Sequence, residues 1–525
     1  MRTRLGTLAV TTAILGGALT PVAHATGHGF TTAYETIPGD GGTPLKGLVF
    51  RPTGWGPGPH PLLVMPASWS LPSGEYAGAA WKLAKDSGYV VVSYTSRGFL
   101  DSAGTIQIAG KPDIADVSRV IDWAIKNAHA DQRRVGAAGI SYGAGISLLA
   151  AGADRRIRAV AAMSAWADLV DSLYANQTVS EQAAAMLLTV GHVTGRPGAD
   201  MLTVQDGYLK DRFDRVIPLA ALRGAARNVA QINANKPAIM IANGWQDGLF
   251  PPAQIADFYG RLTTTKRLML QPGDHGTAEG VGAVGIGNDV WTAAGRWFDH
   301  FLRKVDNGVD REGPVVLKAN NGGGWKHFAG FAAQSAHRRT YFLRPESRRR
   351  GGLTAKPAKA WSKKIATGRG TVADSGVIEG TGGLAQVGRH WTIRPSAVSR
   401  ADGLVFQGPV LRARATVGGF PKLHATITPS AARTSLFAYL YDVAPNGEAQ
   451  LVTHMPYTLR SARPGVARRL DLRLQPIRWT MARGHHFALV LDTMDLRYRS
   501  TSRPGGTLKV TSPAGDPSFL TIPTN

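Results

Sequence analysis

The sequence predicts an α/β domain on a mainly parallel sheet, followed by an all-β domain. Up to residue 303, short apolar runs of strand length alternate with amphipathic helical stretches. Beyond Asp306-Asn307-Gly308, short alternating segments separated by Gly, Pro and Asn turns take over. At 525 residues the chain can also bury more than one core.

The elements follow in order. Arg2 and Arg4 precede an apolar stretch from Leu5 to Leu19 and then Ala23-His24-Ala25. This reads as a secretory signal peptide, residues 1–25, cut after Ala25. No later stretch is long enough to span a bilayer, so the mature chain is expected to be exported and soluble. Residues 31–51 alternate around Pro38-Gly39-Asp40-Gly41-Gly42 as a β-hairpin does. Leu62-Leu63-Val64-Met65 is a buried strand, 75–87 a helix, and Tyr89-Val90-Val91-Val92-Ser93-Tyr94 a β-branched strand. Residues 113–127 place Ile114, Val117, Ile121 and Ala124 on one helical face.

Residues 134–140 form an apolar run, and 144–151 continue as a helix. Further strands are expected at 160–163, 237–242 and 268–270. The amphipathic stretch 288–303, with Val290, Trp291, Trp297, Phe298 and Phe301 apolar, ends the domain. Such alternation implies a parallel sheet covered on both faces. The α/β domain therefore comprises 26–166 and 237–310. Residues 167–236 are helical, including 181–191, and form an inserted cap. Residues 313–525, with strands at 315–317, 339–343, 437–441 and 487–491, form a β-sandwich or jelly roll.

Three segments carry chemistry. Gly139-Ile140-Ser141-Tyr142-Gly143 lies between a strand and a helix, where flanking glycines allow the sharp turn that lifts a nucleophilic serine above the sheet. A serine needs an imidazole to take its proton and a carboxylate to orient that imidazole. Asp247 follows the 237–242 strand, and His275 follows the 268–270 strand through Pro272-Gly273. Both leave the carboxyl ends of strands, where open α/β sheets build sites. The order serine, acid, histidine is that of the α/β-hydrolase fold. Asp168, after the 160–163 strand, is a rival acid. Asp274 is expected to be a solvated loop carboxylate, because neighbours in a turn point apart.

Cysteine is absent, which excludes disulfides and thiolate metal sites. No metalloprotease, calcium-loop or phosphate-loop motif is found, and the scheme needs no cofactor or metal. The net charge of +24 invites a polyanion partner. Its arginines are scattered apart from Arg348-Arg349-Arg350, so weak association with anionic cell-wall polymers is expected and no specific nucleic acid. A non-catalytic polyanion- or wall-binding protein is the remaining rival class.

The layout resembles the X-Pro dipeptidyl-peptidase and cocaine-esterase family of serine hydrolases, as a secreted bacterial member. Ser96-Arg97-Gly98-Phe99 with Ser102-Ala103-Gly104 is similar to that family's arginine loop, although Leu100-Asp101 stands where the family has a second glycine. The resemblance implies a triad of Ser141, Asp247 and His275, acting on ester or Xaa-Pro peptide bonds of small substrates. Many members complete the oxyanion hole with a tyrosine after a strand-ending proline; here Pro66 precedes Ala67-Ser68-Trp69. The expected donors are the Tyr142 N–H and one of Ala67, Ser68 or Trp69. Trp69, Trp166 and Phe250 are candidate pocket walls. A dipeptidyl-peptidase would need a carboxylate for the substrate amine, with Glu181, Asp200, Asp206 and Asp211 as possibilities. Oligomeric state is left open.

Overall fold

A computed structural model describes residues 29–345, 352–378 and 380–525. The expected signal peptide and the Arg348-Arg349-Arg350 run lie outside them. The first half of the chain runs β1 (Phe30–Pro38), β2 (Pro44–Pro52), β3 (His60–Pro66), α1 (Ala77–Ser87), β4 (Val90–Tyr94), α2 (Lys111–Asn127), β5 (Ala130–Ile140), α3 (Tyr142–Ala153) and β6 (Ile157–Met163). Five helices follow: α4 (Leu169–Leu173), α5 (Glu181–Thr194), α6 (Ala199–Lys210), α7 (Val216–Leu222) and α8 (Val229–Asn235). The chain then re-enters the sheet through β7 (Ala238–Gly244), α9 (Pro252–Arg261), β8 (Lys266–Gln271), α10 (Thr277–Ala283), α11 (Asp289–Arg303), β9 (Val315–Leu317) and β10 (Lys326–Phe328).

These strands make one sheet in the order β1-β2-β4-β3-β5-β6-β7-β8-β9-β10, parallel from β4 through β9. Period-two alternation decides its two faces. Leu62, Val64, Val90 and Val92 pack in one cluster with Val117 and Ile121 of α2. Leu63, Met65 and Val91 pack in the other with Leu83 of α1 and Trp297 and Phe298 of α11. Both faces being covered explains why β3 and β4 read as unbroken apolar runs.

One expected strand joins another sheet. Val315-Val316-Leu317, expected among the strands of the β domain, pairs in parallel with Leu268, Met269 and Leu270 and extends the α/β sheet. A three-residue apolar run does not say which sheet it joins, and here it covers what would be an unpaired edge of β8. From His337–Arg344 onward the chain folds into antiparallel sheets of nine and five strands. Their core joins Leu423, Ile427, Leu440, Trp479 and Val510 in one buried cluster.

The cap is held from two sides. The loop after β4 bridges it through Phe99↔Gly195 and Ile106↔Pro197. The β domain bonds it through Arg499 Nε to Glu181 Oε2 at 2.7 Å, Arg460 to Asp211 at 2.9 Å, and Thr178 to Thr458 at 2.8 Å. The arginine loop is a structural staple: Arg97 and Asp116, both buried, pair at 2.5 and 2.6 Å, and Asp116 also accepts the Asp40 N–H. Gly98 is obligatory there, with φ +82° and the Ile106 amide 2.2 Å from any Cβ. Among the described residues no helix is long and apolar enough to cross a membrane.

Candidate active site

Ser141 sits between the end of β5 and the first turn of α3 with φ 55° and ψ −116°, a conformation costly for any residue with a Cβ. Its surroundings impose it. Added Cβ atoms on Gly139 and Gly143 would lie 2.5 Å from the Gly143 carbonyl carbon and 1.9 Å from the Pro66 carbonyl oxygen, respectively. The glycines are thus needed for close approach rather than for positive φ.

The structure brings Ser141, His275 and Asp247 together. His275 Nε2 lies 2.8 Å from Ser141 Oγ, and His275 Nδ1 lies 3.0 Å from both Asp247 oxygens. With a neutral histidine, Ser141 donates to Nε2 and Nδ1–H donates to the carboxylate. Asp247 is fixed in turn: Oδ1 accepts the Leu249 and Phe250 amides at 3.0 and 2.7 Å, and Oδ2 accepts Asn243 Nδ2 at 3.1 Å. An acceptor held by three donors cannot swing away from the imidazole, which is the orienting role a triad acid needs. Asp168 is not in the site; it caps α4 by accepting the Val170 and Asp171 amides.

Asp274 is not solvated. It is 1 % exposed, and its Oδ1 accepts the Gly248 N–H at 2.7 Å and the His275 N–H at 2.8 Å. It therefore ties the acid loop to the histidine loop. Burial pushes its carboxyl up, against the nearby charge of Arg497 from the β domain. Gly382, in the helix Thr381–Gln386 of the same domain, sits over it, for a Cβ there would meet the Asp274 carboxylate at 2.7 Å. Glu279, in α10, is a second buried acid within electrostatic reach of Asp247 and His275; burial pushes it up to about 7. Sequence reasoning missed both roles, since burial by a distant segment leaves no local signal.

The oxyanion donors narrow. The Ala67 N–H donates to the Tyr94 carbonyl at 2.9 Å. Ser68 is corrected: its N–H donates to Glu75 Oε2 at 2.7 Å, and its hydroxyl lies 2.6 Å from Glu75 Oε1. Both polar groups of Ser68 thus face Glu75 rather than an incoming carbonyl. Of the four candidate amides, those of Tyr142 and Trp69 reach no acceptor among the described residues.

Trp69, Trp166 and Phe250, with Ser141 and Tyr142, line one cavity of about 150 Å³ beneath the cap. Its aromatic wall is continuous: Trp69 to Tyr142 at 5.1 Å, Tyr142 to Trp166 at 5.9 Å, Trp166 to Phe250 at 5.3 Å and Phe250 to His275 at 5.0 Å. Among the described residues no carboxylate lines it. Each cap carboxylate the sequence offers is already paired: Glu181 with Arg499 and the Tyr208 hydroxyl, Asp200 with Arg223, Asp206 with Lys210, and Asp211 with Arg433 and Arg460.

Comparison with known proteins gives the context of this geometry. Residues 40–277 match the profile of X-Pro dipeptidyl-peptidase (S15 family), and 307–519 that of the X-Pro dipeptidyl-peptidase C-terminal non-catalytic domain. A Bacillus anthracis protein bearing a Xaa-Pro dipeptidyl-peptidase name is 23 % identical over 461 residues, covering 81 % of this chain and 72 % of its own. Among solved structures, an α-amino acid ester hydrolase is similar with a TM-score of 0.74 at 17 % identity, covering 98 % of this chain and all of its own. A CocE/NonD family hydrolase from Staphylococcus aureus gives 0.73 at 12 % identity, with 94 % of each chain covered.

Proposed function

The chain belongs to the X-Pro dipeptidyl-peptidase and cocaine-esterase family of serine hydrolases, and from that premise we propose that it cleaves carboxylic esters through an acyl-enzyme on Ser141. Ser141 Oγ attacks the ester carbonyl while His275 Nε2 takes its proton, and Asp247 holds the imidazole in the tautomer that can accept it. The Tyr142 and Trp69 amides stabilise the oxyanion. His275 then hands the proton to the departing alcohol, and water, activated by the same imidazole, releases the acid. Electrostatic stabilisation of this kind is worth about two to three orders of magnitude per donor.

The observation that favours esters over Xaa-Pro peptides is that, among the described residues, no carboxylate lines the cavity, while Glu181, Asp200, Asp206 and Asp211 are each paired with an arginine or lysine. A dipeptidyl-peptidase must hold a free ammonium, and an acid already neutralised by a neighbouring cation offers it little. The peptide reading is supported by the matching family profiles and by the names of relatives. Export is supported by the Arg2, Arg4 and Ala23-His24-Ala25 pattern of the N-terminus.

Labelling of the mature protein with a fluorophosphonate, beside Ser141→Ala, tests the nucleophile. Label on the parent and none on the variant is expected, with turnover of p-nitrophenyl esters and negligible turnover of Ala-Pro-p-nitroanilide. Cleavage of the anilide with a kcat/KM equal to that of the esters would overturn the ester reading.

A further inference from the structure

We propose that the substrate is an ester of a medium-chain, unbranched aliphatic acid, about eight carbons long, whose acyl chain lies between α5 and α6. The inference rests on the ester-hydrolase reading above and adds the acyl group to it.

The cavity wall is almost wholly apolar. Leu187 and Leu188 of α5, Met201 and Val204 of α6, and Ile217 of α7 form much of it. Its one charged lining residue, Arg223, is tied to Asp200. Each methylene of an acyl chain that enters exchanges water for apolar side chains, which favours binding. An ammonium on the chain would find no carboxylate on this wall, and its desolvation would oppose binding.

The length comes from the helices. At the catalytic end Trp69 touches Tyr142 and donates its indole N–H to the Leu187 carbonyl, and a Cβ on Gly191 would meet both Trp69 and Met201. At the far end the Tyr208 hydroxyl donates to Glu181, one helical turn from Ala184. Tyr174 and Phe213 pack at this end with ring centroids 4.8 Å apart and planes tilted by 38°, and the Arg460 guanidinium covers both rings. Met201 to Tyr208 spans about 10 Å at a rise of ~1.5 Å per residue. An extended hydrocarbon with bonds of ~1.5 Å advances roughly 1.3 Å per carbon, which fits about eight carbons.

The chain belongs on the acyl side. The wall contains Ser141 and Tyr142, which hold the acyl group and its oxyanion, but not His275, which protonates the leaving alcohol.

The test is kcat/KM for p-nitrophenyl esters from acetate to palmitate, normalised to active sites counted with a fluorophosphonate, for the parent and Ala184→Trp. Burial of a methylene favours the transition state by about three- to fourfold. Activity should climb by that factor per carbon up to about octanoate and then fall. Ala184→Trp fills the far end and should move the optimum to butyrate, lowering the octanoate-to-acetate ratio at least tenfold. Methyl octanoate should be cleaved faster than octyl acetate. A labelled enzyme that prefers acetate overturns the acyl-chain inference while leaving the ester reading standing, as does one indifferent to chain length. A preference for octyl acetate overturns the acyl placement. A folded protein that takes no label overturns both readings.

Discussion

Asp274→Ala separates a buried tether from a solvated bystander. The carboxylate accepts two buried backbone donors, Gly248 N–H at 2.7 Å and His275 N–H at 2.8 Å. Leaving both without an acceptor costs about 1–3 kcal/mol each. Part of that is returned, because the alanine removes an acid whose burial already pushes its carboxyl up. The net loss should be about 3 kcal/mol, a fall of roughly 6–12 °C in the melting temperature of a domain this size. The catalytic effect follows from the second donor, which belongs to His275 itself. A displacement of its ring by about 1 Å costs on the order of a hundredfold in rate. We expect kcat to fall 10- to 100-fold with KM little changed. Asp274→Asn, which keeps the accepting oxygen, should retain activity within about tenfold. The measurements are thermal unfolding by circular dichroism and ester kinetics on active-site-titrated enzyme. An alanine variant within 0.5 kcal/mol and twofold of the parent, the range of ordinary surface changes, would refute the tether.

Two further predictions concern neighbouring positions. Burial holds Glu279 at about 7, above its usual 4.5, so the folded chain binds this proton more tightly than the unfolded one. That contribution, about 3 kcal/mol, is complete below pH 4.5 and lost as pH rises through 7. Glu279→Gln should therefore raise the melting temperature at pH 8 and shrink its fall between pH 5 and 8; an unaltered pH slope would remove Glu279 from the account. Gly143→Ala would place a methyl 1.9 Å from the Pro66 carbonyl oxygen, backbone against backbone. Fluorophosphonate labelling should drop at least a hundredfold in a protein that still shows parental far-ultraviolet circular dichroism, and labelling at the parental rate would contradict the need for that close approach.

Legibility in the sequence followed the range of the interaction. The elbow was readable because Gly139, Ser141 and Gly143 are neighbours, and their tight turn is a property of adjacent residues. Asp247 and His275 were readable because each follows an apolar strand, and strand ends are where such sheets place side chains. The arginine loop was readable as a motif, but its work, pairing Arg97 with Asp116 and through it with the Asp40 amide, needs three separate segments. Asp274 was misread because its cover comes from Gly382 and Arg497, far along the chain. Ser68 was misread because nothing local says that Glu75 turns back to meet it. The 315–317 strand carries no mark of its partner; only β8's open edge decides it.

Gly382, packed over the Asp274 loop, and Arg497, whose charge reaches it, both come late in the chain. Synthesis runs from the N-terminus, and domains fold as they emerge. Ser141, Asp247 and His275 are all present once residue 275 has appeared, yet the loop that carries the histidine lacks its cover until residue 497 follows. The Glu181 and Asp211 anchors of the cap wait in the same way for Arg433, Arg460 and Arg499. The cover of the histidine loop and the anchoring of the cap are thus complete only with the last strands of the chain, so a prematurely ended polypeptide carries the three reactive side chains without the framework that holds them.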